Sequence, residues 1–80
     1  MEEQKLRELI RDTFSENLVK KGEIPDDADL YTELGGDSLD MMNVHLDLEQ
    51  ALGMKLPQEE FRRCRTVNDV LAFVQAKRKL

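Results

Sequence analysis

Apolar residues in this 80-residue chain return every three or four positions, and no segment alternates with the two-residue period of a strand. That periodicity restricts the fold to helices. Leu6, Leu9, Ile10, Phe14 and Leu18 share one helical face, with Glu8, Arg11, Asp12 and Glu16 turned away, which predicts helix I over about residues 3–20. Lys20-Lys21-Gly22 supplies a stop: positive charge on the last turn, then a glycine for a left-handed cap. Periodicity then lapses across a loop at 22–37, where Pro25 and Gly35-Gly36 break any helix and Ile24, Leu30, Tyr31 and Leu34 are the large apolar anchors.

Helix II is expected over about 38–52, with Asp37 and Asp40 at its electropositive start. Asp40, Asn43, Asp47 and Gln50 project as one polar stripe flanked by Leu39 and Leu46. Met41, Met42, Val44, His45, Leu48 and Leu52 fill an apolar arc interrupted by Glu49, the pattern of the central helix of a small bundle. After Gly53-Met54-Lys55-Leu56-Pro57, a short helix III is expected at about 58–63 with Phe61 inward. Thr66-Val67-Asn68-Asp69 has the form of a capping box. It opens helix IV at about 67–78, with Val67, Val70, Leu71 and Val74 at helical spacing and Lys77-Arg78-Lys79 at the negative end. The expected fold is an all-α four-helix bundle of three longer helices and one short one.

At 9.3 kDa the chain makes one domain, residues 1–80, too small for a large enzyme with its own substrate cleft. A single cysteine, Cys64, cannot form an internal disulfide. No apolar run approaches the roughly 20 residues of a bilayer span, and the acidic start does not read as a secretory or transit signal, so a soluble, cytoplasmic, monomeric protein is expected. The net charge of −5 is unevenly placed: residues 23–49 hold nine acids and no Lys or Arg, whereas residues 50–80 carry seven bases against three acids. With no Trp and one Tyr to serve as stacking platforms, nucleic-acid binding is not expected.

The most pointed local feature is Gly35-Gly36-Asp37-Ser38-Leu39-Asp40, a serine between a long loop and a helix start. Such residues can simply begin a helix after a glycine turn. Gly36-Asp37-Ser38-Leu39 also spells the nucleophile block of GDSL-type esterases. That chemistry needs a base within hydrogen-bond reach, and the one histidine, His45, is seven residues along the same helix, roughly 10 Å up its axis. No catalytic residue is assigned. One Cys and one His do not make a zinc site. Asp26-Asp27-Ala28-Asp29 fails as a calcium loop, since Tyr31 and Thr32 stand where a liganding side chain and a turn glycine belong. His45 reads as a core-edge residue. Cys64, between Arg63 and Arg65, is either a small apolar plug or a thiol of lowered pKa. Met41, Met42 and Met54 read first as core.

Taken together, these residues resemble the acyl carrier protein family, including its peptidyl and aryl carrier relatives. The resemblance rests on Leu30, Leu34-Gly35, Asp37-Ser38-Leu39-Asp40, the amphipathic helix that follows, Leu56-Pro57 and Thr66-Val67. It implies that Ser38, set between Asp37 and Leu39, carries a covalent 4′-phosphopantetheine arm attached by a separate transferase, the arm's thiol holding an acyl group as a thioester. It also implies a partner surface on helix II made of Leu39, Asp40, Asn43, Leu46, Asp47, Glu49 and Gln50. The partners would be a phosphopantetheinyl transferase, an acyl-loading ligase or acyltransferase, and a ketosynthase or other acyl-processing enzyme. Met42, Val44, Leu48, Phe61, Cys64 and Val70 would line any shelter for the acyl chain.

Three features depart from the usual pattern: the Gly35-Gly36 pair is closer to peptidyl carriers, Asn43 and Gln50 are neutral, and Arg62, Arg63 and Arg65 make the third-helix region basic. A carrier for fatty-acid or polyketide assembly and a specialised aminoacyl or peptidyl carrier both fit. An arm-free helical interaction module is the alternative of a different class.

Overall fold

The computed structural model describes residues 2–18 and 24–78, and every regular element among them is helical. The helices are α1 Glu3–Asn17, α2 Ser38–Leu52, α3 Gln58–Phe61 and α4 Val67–Arg78. α1 packs against both α2 and α4. Leu6, Ile10 and Phe14 of α1 meet Met41, Val44 and Leu48 of α2 and Val67, Val70, Leu71 and Val74 of α4 in one buried core, which Phe61 joins from α3. The helical periods in the sequence are thus realised as one shared interior.

The bounds of α2 and α4 match the pattern, while two helices end early. α1 stops at Asn17, because Leu18 is extended (φ −105°, ψ 149°). The Asn17 side-chain amide donates to the Thr13 carbonyl at 2.8 Å and so takes up an acceptor of the last turn. The expected stop at Lys20-Lys21-Gly22 lies outside the described residues, as does Lys79. α3 ends at Phe61 rather than residue 63. There the backbone tightens, Arg63 N–H donating to Glu60 and Cys64 N–H to Phe61, three-residue bonds that no longer build an α-helix.

Thr66 and Asp69 form the expected reciprocal cap: Asp69 N–H donates to the Thr66 hydroxyl at 3.0 Å, and Thr66 N–H to the Asp69 carboxylate at 3.3 Å. Two methionines separate. Met41 is buried, but Met42, expected in the core, is 47% exposed. The buried stripe of α2 is Met41, Val44, His45 and Leu48, and Met42 lies about 100° around the helix from Met41. Leu9 is likewise only partly buried.

The segment 24–37 is irregular yet firmly held. Ile24, Ala28, Leu30 and Leu34 are buried. Leu30 N–H donates to the Arg65 carbonyl at 2.7 Å, and Asn68 N–H to the Asp26 carbonyl at 3.0 Å, which ties the loop to the start of α4. The Asp29 carboxylate accepts from the backbone of Tyr31 and Thr32 and from Arg65 Nε at 2.6 Å. Arg65 also lies over the Tyr31 ring, 4.7 Å from its centroid. Asp26 takes Arg7 at 2.7 Å and Arg11 at 2.6 Å, both from α1. The loop therefore delivers the chain to α2 along a fixed path.

Candidate functional site

Two glycines set the entry to α2 for different reasons. Gly35 is left-handed (φ 72°), a conformation that disfavours side chains. Gly36 is held by space: a Cβ there would lie 2.7 Å from the Cδ2 atoms of both Leu18 and Leu30, two buried leucines. Asp37 follows as the N-cap. Its carboxylate accepts from Asp40 N–H at 2.9 Å, and the Asp40 carboxylate accepts from Asp37 N–H at 3.1 Å. This reciprocal cap was missed in the sequence because the usual template asks for Ser or Thr followed by Glu or Gln; the spacing of Asp37 and Asp40 was the available signal.

The consequence falls on Ser38. A serine beside a helix start commonly spends its oxygen on capping, but Asp37 has taken that task. Ser38 is the first residue of α2, exposed, and its hydroxyl has no hydrogen-bond partner among the described residues. Beside it is a cavity of about 420 Å3 that Ser38 helps to line. Met41, Met42 and Phe61 give this cleft apolar wall, and Tyr31, His45, Gln58 and Arg62 give it polar groups. The cleft thus offers both apolar surface and hydrogen-bonding groups next to the Ser38 hydroxyl.

His45 is buried and belongs to the cleft's inner wall. Its Nε2–H donates to the Leu56 carbonyl at 2.7 Å, and its ring packs 4.8 Å from Phe61. Glu49, four residues on, accepts from Leu56 N–H at 2.8 Å and lies 3.6 Å from His45 Nε2. His45 and Glu49 together clamp the Leu56 peptide, a role that no local sequence signal announced. Glu49, expected on the partner surface, is thus committed inside the molecule.

The remaining residues expected on that surface divide by exposure. Leu39 and Leu46 are 60% and 48% exposed. Asn43, Asp47 and Gln50 are exposed and Asp40 is half-buried. Asp47 accepts from the Asn17 amide at 2.9 Å. Of the residues named as an acyl shelter, Met42 and Phe61 line the cleft beside Ser38; Val44, Leu48, Cys64 and Val70 are buried in the core and do not line it. Burial, with Asp69 nearby, pushes the Cys64 thiol up to about 11, which makes it the apolar plug rather than a reactive thiolate.

Two of the loop acids, Asp26 and Asp29, are occupied. The Arg11 hydrogen bond, joined by Arg7, holds the Asp26 carboxyl below its ordinary range against the opposing effect of burial. Arg65 lowers Asp29 from the ordinary 3.8 to about 2. Among the described residues no group of three or more His, Cys, Asp or Glu side chains is placed to hold a metal ion, and no helix is long and apolar enough to cross a membrane.

Comparison with known proteins agrees with this geometry. Residues 4–74 match the family model described as a phosphopantetheine attachment site. Acyl carrier protein 2 of Ralstonia nicotianae is 35% identical over 77 residues, covering 95% of both chains. An acyl carrier protein of Prochlorococcus marinus is 32% identical over 79 residues, covering 98% of this chain and 99% of that one. A solved Mycobacterium tuberculosis chain assigned as an acyl carrier protein superposes with a TM-score of 0.80 at 25% identity, covering 90% of this chain and 97% of that one. A helical bundle with a spare serine at a helix start, matched along nearly its whole length in this way, belongs to the acyl carrier protein family: it is a carrier rather than an enzyme, and its cofactor is covalently held 4′-phosphopantetheine.

Proposed function

We propose that Ser38 is the residue that bears the arm and that the exposed face of α2 is where partner enzymes dock. The observation that carries this reading is the unengaged, exposed Ser38 hydroxyl at the first position of a helix that Asp37 and Asp40 already cap. When bound, 4′-phosphopantetheine supplies a terminal thiol that holds an acyl group as a thioester. The chain's own residues do the rest. Gly35 and Gly36 bring the loop close enough to present Ser38 at the surface. No base hydrogen-bonds the Ser38 hydroxyl among the described residues, His45 giving its Nε2–H to the Leu56 carbonyl, and activation of the hydroxyl falls to a phosphopantetheinyl transferase.

Leu39, Met42 and Leu46 offer small apolar contacts, and Asp40 and Asp47 offer negative charge that steers basic active-site mouths onto α2. A weak, charge-led footprint suits a carrier that must visit a loading ligase or acyltransferase and then a ketosynthase or another acyl-processing enzyme in turn. We place these encounters in fatty-acid, polyketide or related assembly in the cytoplasm. The test is direct: incubate the protein with coenzyme A and a broad-specificity transferase and weigh it intact. The wild type gains one arm and Ser38→Ala gains none; a wild type left unmodified by several transferases would favour an arm-free interaction module.

A further inference from the structure

The surroundings of Ser38 are electrostatically lopsided. Asp37 and Asp40 flank it, and their carboxylates bind each other's backbone N–H groups and no cation among the described residues. A phosphodiester on the Ser38 oxygen places a third negative charge within one helical turn, more than the positive end of the α2 dipole offsets. The same cleft is lined by Arg62. Arg7, Arg11 and Arg65 are each paired with a loop carboxylate, whereas Arg62 has no carboxylate partner among the described residues. Gln58 and Tyr31 add an amide and a hydroxyl to the same lining. An alkyl chain laid against these groups would cover them unsatisfied, while an anion gives them a partner.

Resting on attachment at Ser38, we infer that the cleft between α2 and α3 is an anion site completed by Arg62. It takes the negative charge delivered through Ser38: the phosphodiester at the root of the arm, or a carboxylate at the end of a short acyl group. Arg62 is a positioning residue, holding the attached group against α3 rather than leaving it to swing freely.

The test compares four forms of the full chain by NMR: unmodified, arm-bearing, and arm-bearing with butyryl or succinyl joined through a stable amide in place of the thioester. Movement of the Arg62 Nε–Hε signal on adding the arm alone identifies the phosphodiester as the anion. Movement only between butyryl and succinyl, which differ by a terminal carboxylate, identifies the cargo. In either case R62Q is expected to lower the docked fraction, read at Tyr31 and Gln58, roughly two- to five-fold, with R62K retaining part of it. R63Q removes the same charge from an exposed neighbour that does not line the cleft, and is expected to change nothing. An Arg62 signal indifferent to arm and cargo alike, or equal losses in R62Q and R63Q, would overturn the inference while leaving attachment at Ser38 intact. A chain that gains no mass with transferase and coenzyme A would instead overturn the attachment reading, and this one with it.

Discussion

Asp26 and Asp29 of the loop and Asp40 and Asp47 of α2 come from one stretch of sequence that contains no Lys or Arg, yet they have opposite fates. Asp26 and Asp29 are drawn into ion pairs with Arg7, Arg11 and Arg65, residues 15 to 36 positions away in the chain. Asp40 and Asp47, on the outer side of α2, meet only backbone or neutral groups among the described residues. The fold brings α1 and the segment before α4 around the loop, so cations reach it; among the described residues no cation pairs with Asp40 or Asp47 on the exposed side of α2. A count of nine acids therefore overstates the surface available for recognition, since part of that charge holds the molecule together.

The sharpest way to break this comparison is to neutralise one acid from each group. Asp26→Asn should cost about 2 kcal/mol in urea unfolding, because two partly buried guanidinium groups lose a charged acceptor. Asp47→Asn should stay within about 0.5 kcal/mol, as exposed substitutions do. Equal losses would erase the distinction between structural and recognition acids.

The converse effect concerns encounter rather than stability. Asp47→Lys should slow transferase association roughly ten-fold at low salt, and added salt should slow the wild type in the same direction. Asp26→Asn, provided it remains folded, should associate at the wild-type rate. Stopped-flow rates insensitive to both Asp47→Lys and salt would remove the steering role of α2.

The smallest effect is on pH dependence. Asp26 and Asp29 ionise more readily in the folded chain than in the unfolded one, so their stabilisation is complete above the ordinary carboxylate range. It is lost as pH falls, for Asp29 between 3.8 and about 2. Thermal melts across that window should flatten in an Asp26→Asn, Asp29→Asn double variant. The acid limb should persist in Asp47→Asn; a limb unchanged in the double variant would assign acid lability elsewhere.

Much of this architecture was legible because it is local. The heptad-like spacing of α1, the Thr66–Asp69 cap and the turn chemistry of Gly35-Gly36 each depend on residues a few positions apart, and α2 and α4 fall where the pattern put them. What escaped was long-range. Nothing near Glu49 in the sequence says that its carboxylate will take the Leu56 N–H, and nothing near Met42 says on which side of it the other helices will pack. The same holds for the cleft, because Tyr31, Ser38 and Arg62 become neighbours only when the loop and α3 close over α2. Ser38 itself stood out, but the reason its oxygen is spare, the Asp37–Asp40 exchange, was visible only in the geometry.

That exchange separates scaffolding from chemistry. Because the start of α2 is secured by the two aspartates on either side, the proposed arm on the Ser38 oxygen can come and go without disturbing the capping bonds of the helix that displays it. The cap of α2 is then the same in bare and loaded molecules, and a reserve of unmodified protein can wait, already folded, for its tether.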